Sequence, residues 1–121
     1  MTFEPKRILH FGRRAEQAAA QYYQEQGFSV VDRNHRYRRA EIDLIVEKED
    51  LLVFVEVKAR SSSQFGFPEN FVSPAQQARV CVVAEHYIAE RNWHMRIRFD
   101  IIAIVKQAEG WQLTHFEDAF G

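Results

Sequence analysis

At 121 residues and 14.3 kDa, the chain has material for one domain with a sizeable core and none for a second. Hydrophobic residues make up 46% and charged residues 27%, which argues against a disordered chain, a collagen-like fibre or a disulfide-stapled mini-domain. With 16 basic and 17 acidic residues the formal net charge is −1, unlike a protein whose whole task is coating nucleic acid, since affinity for phosphate comes mostly from counterion release.

The N-terminal stretch MTFEPKRILHFGRRAEQ has no apolar h-region followed by a small-residue cleavage site, so no secretory signal is expected. No apolar run anywhere approaches the ~18 residues of a membrane-spanning helix. From Gly12 to Gln26, the residues Ala15, Ala18, Ala19, Tyr22 and Tyr23 recur at helical spacing, and Gly27 sits where a helix-ending glycine belongs. Phe28 to Asp32 is short, apolar and β-branched, a first strand. Arg33 to Arg39 is polar and strongly basic and reads as a turn or strand-edge loop. Residues 1–39 carry eight Lys or Arg against four Asp or Glu, a balance of +4, whereas residues 40–121 carry eight against thirteen, a balance of −5. Such a split suits gripping a phosphate backbone while presenting carboxylates to it.

Glu41 to Glu47 alternates, with Glu41, Asp43 and Ile45 expected on one face and Ile42, Leu44 and Val46 on the other. Glu49-Asp50 reads as a hairpin tip. Leu51 to Arg60, LLVFVEVKAR, is the strongest strand pattern, and Ser61 to Ser73 is the one long loop. Ser73-Pro74 with Gln76 opens a second helix, serine as N-cap, proline in the first turn and Gln76 completing a capping box. Its buried stripe is Val80, Val83, Ala84, Tyr87 and Ile88. Cys81, the single cysteine, has no internal disulfide partner and suits a reducing cytosol. Arg96 to Val105 is a further strand, in which Asp100 reads chiefly as an edge charge that deters aggregation, with support of a neighbouring site as the other reading. Glu109-Gly110 is a turn and Trp111 to Phe116 a last strand. The order α-β-β-β-α-β-β predicts a single α/β domain over residues 1–121, a central mixed sheet flanked by helices.

Chemistry concentrates on the third strand. Leu52, Phe54, Glu56 and Lys58 share one face, and Val53, Val55 and Val57 the other, the pattern of a central strand covered on both sides. A carboxylate and an ammonium two residues apart on a covered face need partners or a site that uses them. A hairpin at Glu49-Asp50 would set Asp43 roughly opposite Glu56. Two carboxylates at that range repel unless a cation joins them, and oxygen pairs of this kind are usual ligands for Mg²⁺ or Mn²⁺. A lysine beside such an ion can orient water or neutralise charge on a phosphoryl group. The same residues can also be read as a solvated strand face with Lys58 as a cross-strand ion-pair partner. Elsewhere the five histidines show no zinc-type pairing, and there is no glycine-rich phosphate loop.

The stretches AEIDLI (40–45), LVFVEVKAR (52–60), QQAR (76–79) and RFDII (98–102) resemble the UPF0102, or YraN-like, family, whose members are similar to the Holliday-junction-resolvase branch of the PD-(D/E)XK nucleases. The resemblance runs from GRRAE (12–16) to the C-terminal HFEDAF. It implies a restriction-endonuclease-like core in which Asp43 is the first metal-binding aspartate and Glu56 with Lys58 the E-x-K pair. The backbone carbonyl of Val57 would complete the metal shell, and Glu16 would be the first-helix glutamate aimed at the site. Ala40 stands where the family usually has glycine, and Gln76 where a lysine is common.

The expectation is therefore a Mg²⁺- or Mn²⁺-dependent endonuclease acting on DNA, branched DNA included, in the cytoplasm and without membrane association. Arg36, Arg38, Arg39 and Gln77 would hold the nucleic acid, with His35 and Tyr37 interleaved among the arginines. Junction-resolving relatives act as symmetric dimers, which leaves room for a homodimer. The alternatives are a non-catalytic nucleic-acid-binding or adaptor module that keeps the nuclease fold, and an interaction domain whose site residues are salt-bridged.

Overall fold

The computed structural model describes residues 5–60 and 72–121, with side chains from residue 12 onward, so most of the loop expected over Ser61–Ser73 lies outside the described residues. The elements are α1 (Pro5–Glu25), β1 (Ser29–Tyr37), β2 (Ala40–Lys48), β3 (Leu51–Arg60), α2 (Pro74–Arg91), β4 (Arg96–Gln107) and β5 (Gly110–Phe120). One sheet contains all five strands in chain order. Every pairing is antiparallel except β3 with β4, which are parallel and joined by the crossover that contains α2. The mixed sheet is thus the consequence of one helical crossover inserted into a meander.

The helices cover opposite faces. On one side Ala15, Ala19, Ala20 and Tyr23 of α1 bury Leu44, Val46, Val53, Val55, Ile102 and Ile104. On the other, Val80, Val83 and Ala84 of α2 bury Ile42, Ile45, Leu52 and Phe54. The α1 stripe differs from the expected one, because Ala20 is buried and Ala18 is exposed. Alanines along the stripe let the helix approach the sheet closely, and Tyr23 is its largest fully buried side chain. At the end of α1, Phe28 N–H donates to the Tyr23 carbonyl and Gly27 N–H to the Gln24 carbonyl, both at 3.0 Å. Gly27 has φ +92, so the helix stops in a Schellman motif that favours glycine.

Several expectations need correction. The basic segment from Arg33 is strand as far as Tyr37, paired with β2 from Arg33↔Leu44 to Tyr37↔Ala40. An edge strand needs one hydrogen-bonded neighbour and leaves its other side to water, so a charged sequence suits it. The alternation along β2 also breaks, since Ile42 packs with Ile45 on the α2 side while Leu44 and Val46 face α1. The break falls at Asp43, beside the left-handed Asn34 (φ 50) of β1. Last, β4 is interior, and Asp100 is 0% exposed within it, so it guards no edge. The final strand also runs to Phe120 rather than Phe116, and Gly110 already belongs to it.

Candidate functional site

The β2–β3 ladder runs from Lys48↔Leu51 to Leu44↔Val55, and the same register places Asp43 opposite Glu56. There the pairing gives way to a side chain: the Asp43 carboxylate Oδ2 accepts the Val57 N–H at 2.8 Å. Glu56 follows Phe54 on the α2 side, is only 3% exposed, and has one oxygen, Oε1, without a hydrogen-bond partner. Its other oxygen accepts Gln76 Nε2 at 3.2 Å, and Lys58 Nζ donates to Gln76 Oε1 at 3.4 Å. One amide therefore bridges the carboxylate and the ammonium that the strand period sets side by side.

Burial pushes Glu56 up to about 8, with the Asp43 charge adding to the rise and Lys58 opposing it. Burial likewise pushes Asp43 up to about 6; the Val57 N–H works against this, while Glu16 and Glu41 reinforce it. Without a cation the pair retains a proton into the neutral range, because two carboxylates this close do not ionise together without compensation.

Two clefts meet at Asp43. The first, about 320 Å³, is lined by Glu56, Val57, Lys58 and Gln76 together with Arg39 and Arg79. The second, about 230 Å³, lies towards α1 and is lined by Arg13, Glu16, Gln17, Arg33 and Asn34. Asp43, Glu56, Val57 and Lys58 are thus brought together as expected, whereas Glu16 stands in the second cleft. There it accepts Asn34 Nδ2 at 3.2 Å and reaches the pair only through the charge it exerts on Asp43.

The residues expected to hold nucleic acid disperse. Arg39 lines the first cleft, but Arg36 is ion-paired with Glu41 at 3.2 Å. Arg38 lies 5.1 Å from the Tyr37 ring centroid, at the β1–β2 turn. Gln77 turns back to the chain, donating to the Val72 carbonyl at 3.0 Å. His35 is tied to Asp32 at 2.8 Å and set edge-on to Tyr87.

Two cleft residues, Gln76 and Arg79, were not among the expected site residues. Ser73 caps α2 through the Gln76 backbone N–H (3.2 Å), which leaves the Gln76 side chain free to turn into the cleft instead of closing a capping box. Arg79 lies three residues on, hence on the same helix face. The i, i+3 spacing within QQAR was the available signal.

A second buried polar network lies on the α1 side. Asp100 accepts hydrogen bonds from Tyr23 Oη (2.7 Å), His115 Nε2 (2.7 Å), Arg98 Nε (2.9 Å) and the Asp118 N–H (3.0 Å). Burial alone would raise its pKa, but these donors together hold it down to about 2. The same burial, with the Asp100 charge, drives the Tyr23 hydroxyl upward, so it stays protonated and donates.

Among the described residues no group of three His, Cys, Asp or Glu side chains is placed to hold a metal by itself. A hard divalent ion does not need one, since one or two carboxylates commonly bind it, with water and substrate phosphate filling the other positions. The donor set fits such an ion on one structural point: the buried Glu56 Oε1, next to a second raised carboxylate, lacks a hydrogen-bond partner among the described residues.

These features define an α/β protein with a polar cleft where the central strand meets its neighbour. A family model, that of the uncharacterised protein family UPF0102, matches residues 15–104, from α1 into β4 and across the whole Asp43–Lys58 segment. The UPF0102 protein of Flavobacterium psychrophilum is 40% identical over 109 residues, covering 90% of this chain and 92% of the relative. That of Christiangramia forsetii is 37% identical over the same length with the same coverage. In Shewanella frigidimarina the figure is 43% over 103 residues, 85% of this chain and 95% of the relative. The chain belongs to the UPF0102 family. Among its described residues no helix is long and apolar enough to cross a membrane.

Proposed function

We propose that this UPF0102 protein is a metal-dependent endonuclease that hydrolyses phosphodiester bonds in DNA, with a restriction-endonuclease-like core. The observation that carries the reading is the partnerless buried oxygen of Glu56 beside Asp43, with Lys58 next along the same strand face. A purely structural carboxylate at 3% exposure would be satisfied on both oxygens. Asp43 and Glu56 would hold Mg²⁺ or Mn²⁺, with the Val57 carbonyl beside them, and such an ion supplies Lewis-acid stabilisation of charge on a phosphoryl oxygen.

The rest of the work falls to the chain. The Val57 N–H fixes one oxygen of Asp43, so that carboxylate is aimed before any substrate arrives. Lys58, held by Gln76 Oε1, offers its ammonium to the charge that develops on the phosphate. Arg39 and Arg79, on either side of the cleft, give the neighbouring phosphates something to pair with.

The test joins calorimetric Mg²⁺ and Mn²⁺ titration to cleavage of labelled linear and four-way DNA. Asp43→Asn and Glu56→Gln are expected to abolish both binding and cleavage. Lys58→Met is expected to keep metal binding and lose about 10²–10³-fold in rate, the usual cost of removing one charge-stabilising donor. Metal binding without cleavage of any DNA would count against the nuclease reading and leave a metal-binding domain. Unchanged behaviour in both carboxylate variants would make the pair structural.

A further inference from the structure

Next to the acidic cleft lies a groove of different character. It holds about 340 Å³ and is walled by the Tyr37 ring, Ala40 and the exposed Val82 of α2, with Arg38, Arg39 and Arg79 around it. Arg39, Ala40 and Arg79 line the acidic cleft as well, so the two depressions share one border. The Tyr37 ring is held in place by the His86 ring, stacked at 3.8 Å with 22° between the planes, and the exposed Arg38 guanidinium lies over it, 5.1 Å from the centroid, in the position that a base would take over. Val82 is 47% exposed although it stands one residue from the buried Val83. An apolar recess with a fixed ring in its wall and arginines at its rim suits a flat aromatic ligand that carries an anionic group.

Resting on the nuclease reading, we propose that this groove takes one unpaired base of a DNA strand whose adjacent phosphate lies in the Asp43–Glu56 cleft. In a duplex the bases are stacked and paired, and their faces are out of reach of such a wall. A bulge, flap or single strand offers a base without that cost, and stacking on protein aromatics is tolerant of sequence because every base has a π-face. The arginines shared by both depressions supply the charge complement: a phosphate between Arg39 and Arg79 leaves its own base beside Tyr37 and Val82. The substrate class that follows is DNA with a locally unpaired nucleotide.

The probe is a DNA duplex carrying 2-aminopurine, either fully paired or in a one-nucleotide bulge, with a single strand as third arm. Binding is read in EDTA by anisotropy and base fluorescence, and cleavage in Mg²⁺ is read separately. Wild type is expected to bind the bulged and single-stranded probes about fivefold more tightly than the paired duplex, the factor that one stacked base supplies at the low end of its range. The bulged 2-aminopurine should also be quenched on binding. Tyr37→Ala and Val82→Asn should abolish the preference, while Tyr37→Phe keeps it. Val82 is a surface position, so its variant remains informative if loss of Tyr37 disturbs folding. Equal affinity for paired and unpaired probes overturns the proposal, as does a preference that survives both groove variants. Absence of cleavage alongside a Tyr37-dependent preference would sink the nuclease reading and leave the groove assignment standing.

Discussion

Glu56 and Asp100 are the two buried charged residues of the described chain, and their environments push them in opposite directions. Burial, with the Asp43 charge beside it, outweighs Lys58 and raises the folded-state pKa of Glu56 from 4.5 to about 8. The folded protein then binds a proton that the unfolded chain has released, and stability falls as pH climbs through that window. In EDTA the melting temperature should drop between pH 5 and 8.5. Glu56→Gln should melt higher than wild type at pH 8.5, with little difference at pH 5, while losing all response to Mg²⁺. Parallel melting curves for the two proteins across this range would show that the site stores no such strain. Asp100 has the reverse sign: its pKa falls from 3.8 to about 2, so its contribution is present above pH 4 and disappears as pH drops through 2. Asp100→Asn leaves the Arg98 guanidinium, otherwise paired at 2.9 Å, without its buried carboxylate. We expect a loss of about 3–5 kcal/mol at pH 7, the range for breaking one partner from a buried pair, and a flatter acid limb in a pH series of urea titrations.

At the scale of elements, the strands were legible where their residues alternate around a hairpin. Glu49-Asp50 does turn the chain, with Glu49 left-handed at φ 56, and this alone brings Asp43 to Glu56. What escaped was decided by neighbours. A local pattern does not say that β1 stays paired through its arginines, nor that β4 is interior and that Asp100 has Tyr23, 77 residues away, as a donor. The start of α2 was read correctly as a cap and incompletely as a site, because Gln76 contributes its backbone to one and its side chain to the other. The two roles separate by mutation. Ser73→Ala should cost about 1 kcal/mol of stability, the usual price of an N-cap, with cleavage retained once the protein is folded. Gln76→Ala keeps the cap and removes the bridge from Lys58 to Glu56, so cleavage should fall severalfold with little change in melting temperature. If instead both variants lose stability and neither loses rate, the amide serves the helix and not the cleft.

Over the whole molecule, a net charge of −1 means that any grip on DNA must come from where the arginines sit and not from how many there are. The basic first third of the chain spreads its arginines along β1 and its turn, but they are not equivalent. Arg36 has Glu41 at 3.2 Å, and Arg33 donates to Gln17 at 3.0 Å. Arg39 lines both the acidic cleft and the groove beside it. Each phosphate neutralised on duplex DNA contributes about −0.9 to the slope of log K against log salt. Arg39→Ala should therefore flatten that slope by about one contact, and Arg79→Ala by a similar amount. Arg36→Ala should flatten it far less, because the arginine already spends its charge on Glu41. The measurement is a salt series of anisotropy titrations on one labelled duplex, from 50 to 200 mM, a span chosen because a few phosphate contacts change affinity steeply there. Should Arg36→Ala flatten the slope as much as Arg39→Ala, the Arg36–Glu41 pair opens on binding and DNA runs along β1. Equal slopes for all three variants and wild type would move the contact surface away from the acidic cleft, and with it the scissile phosphate from Asp43 and Glu56.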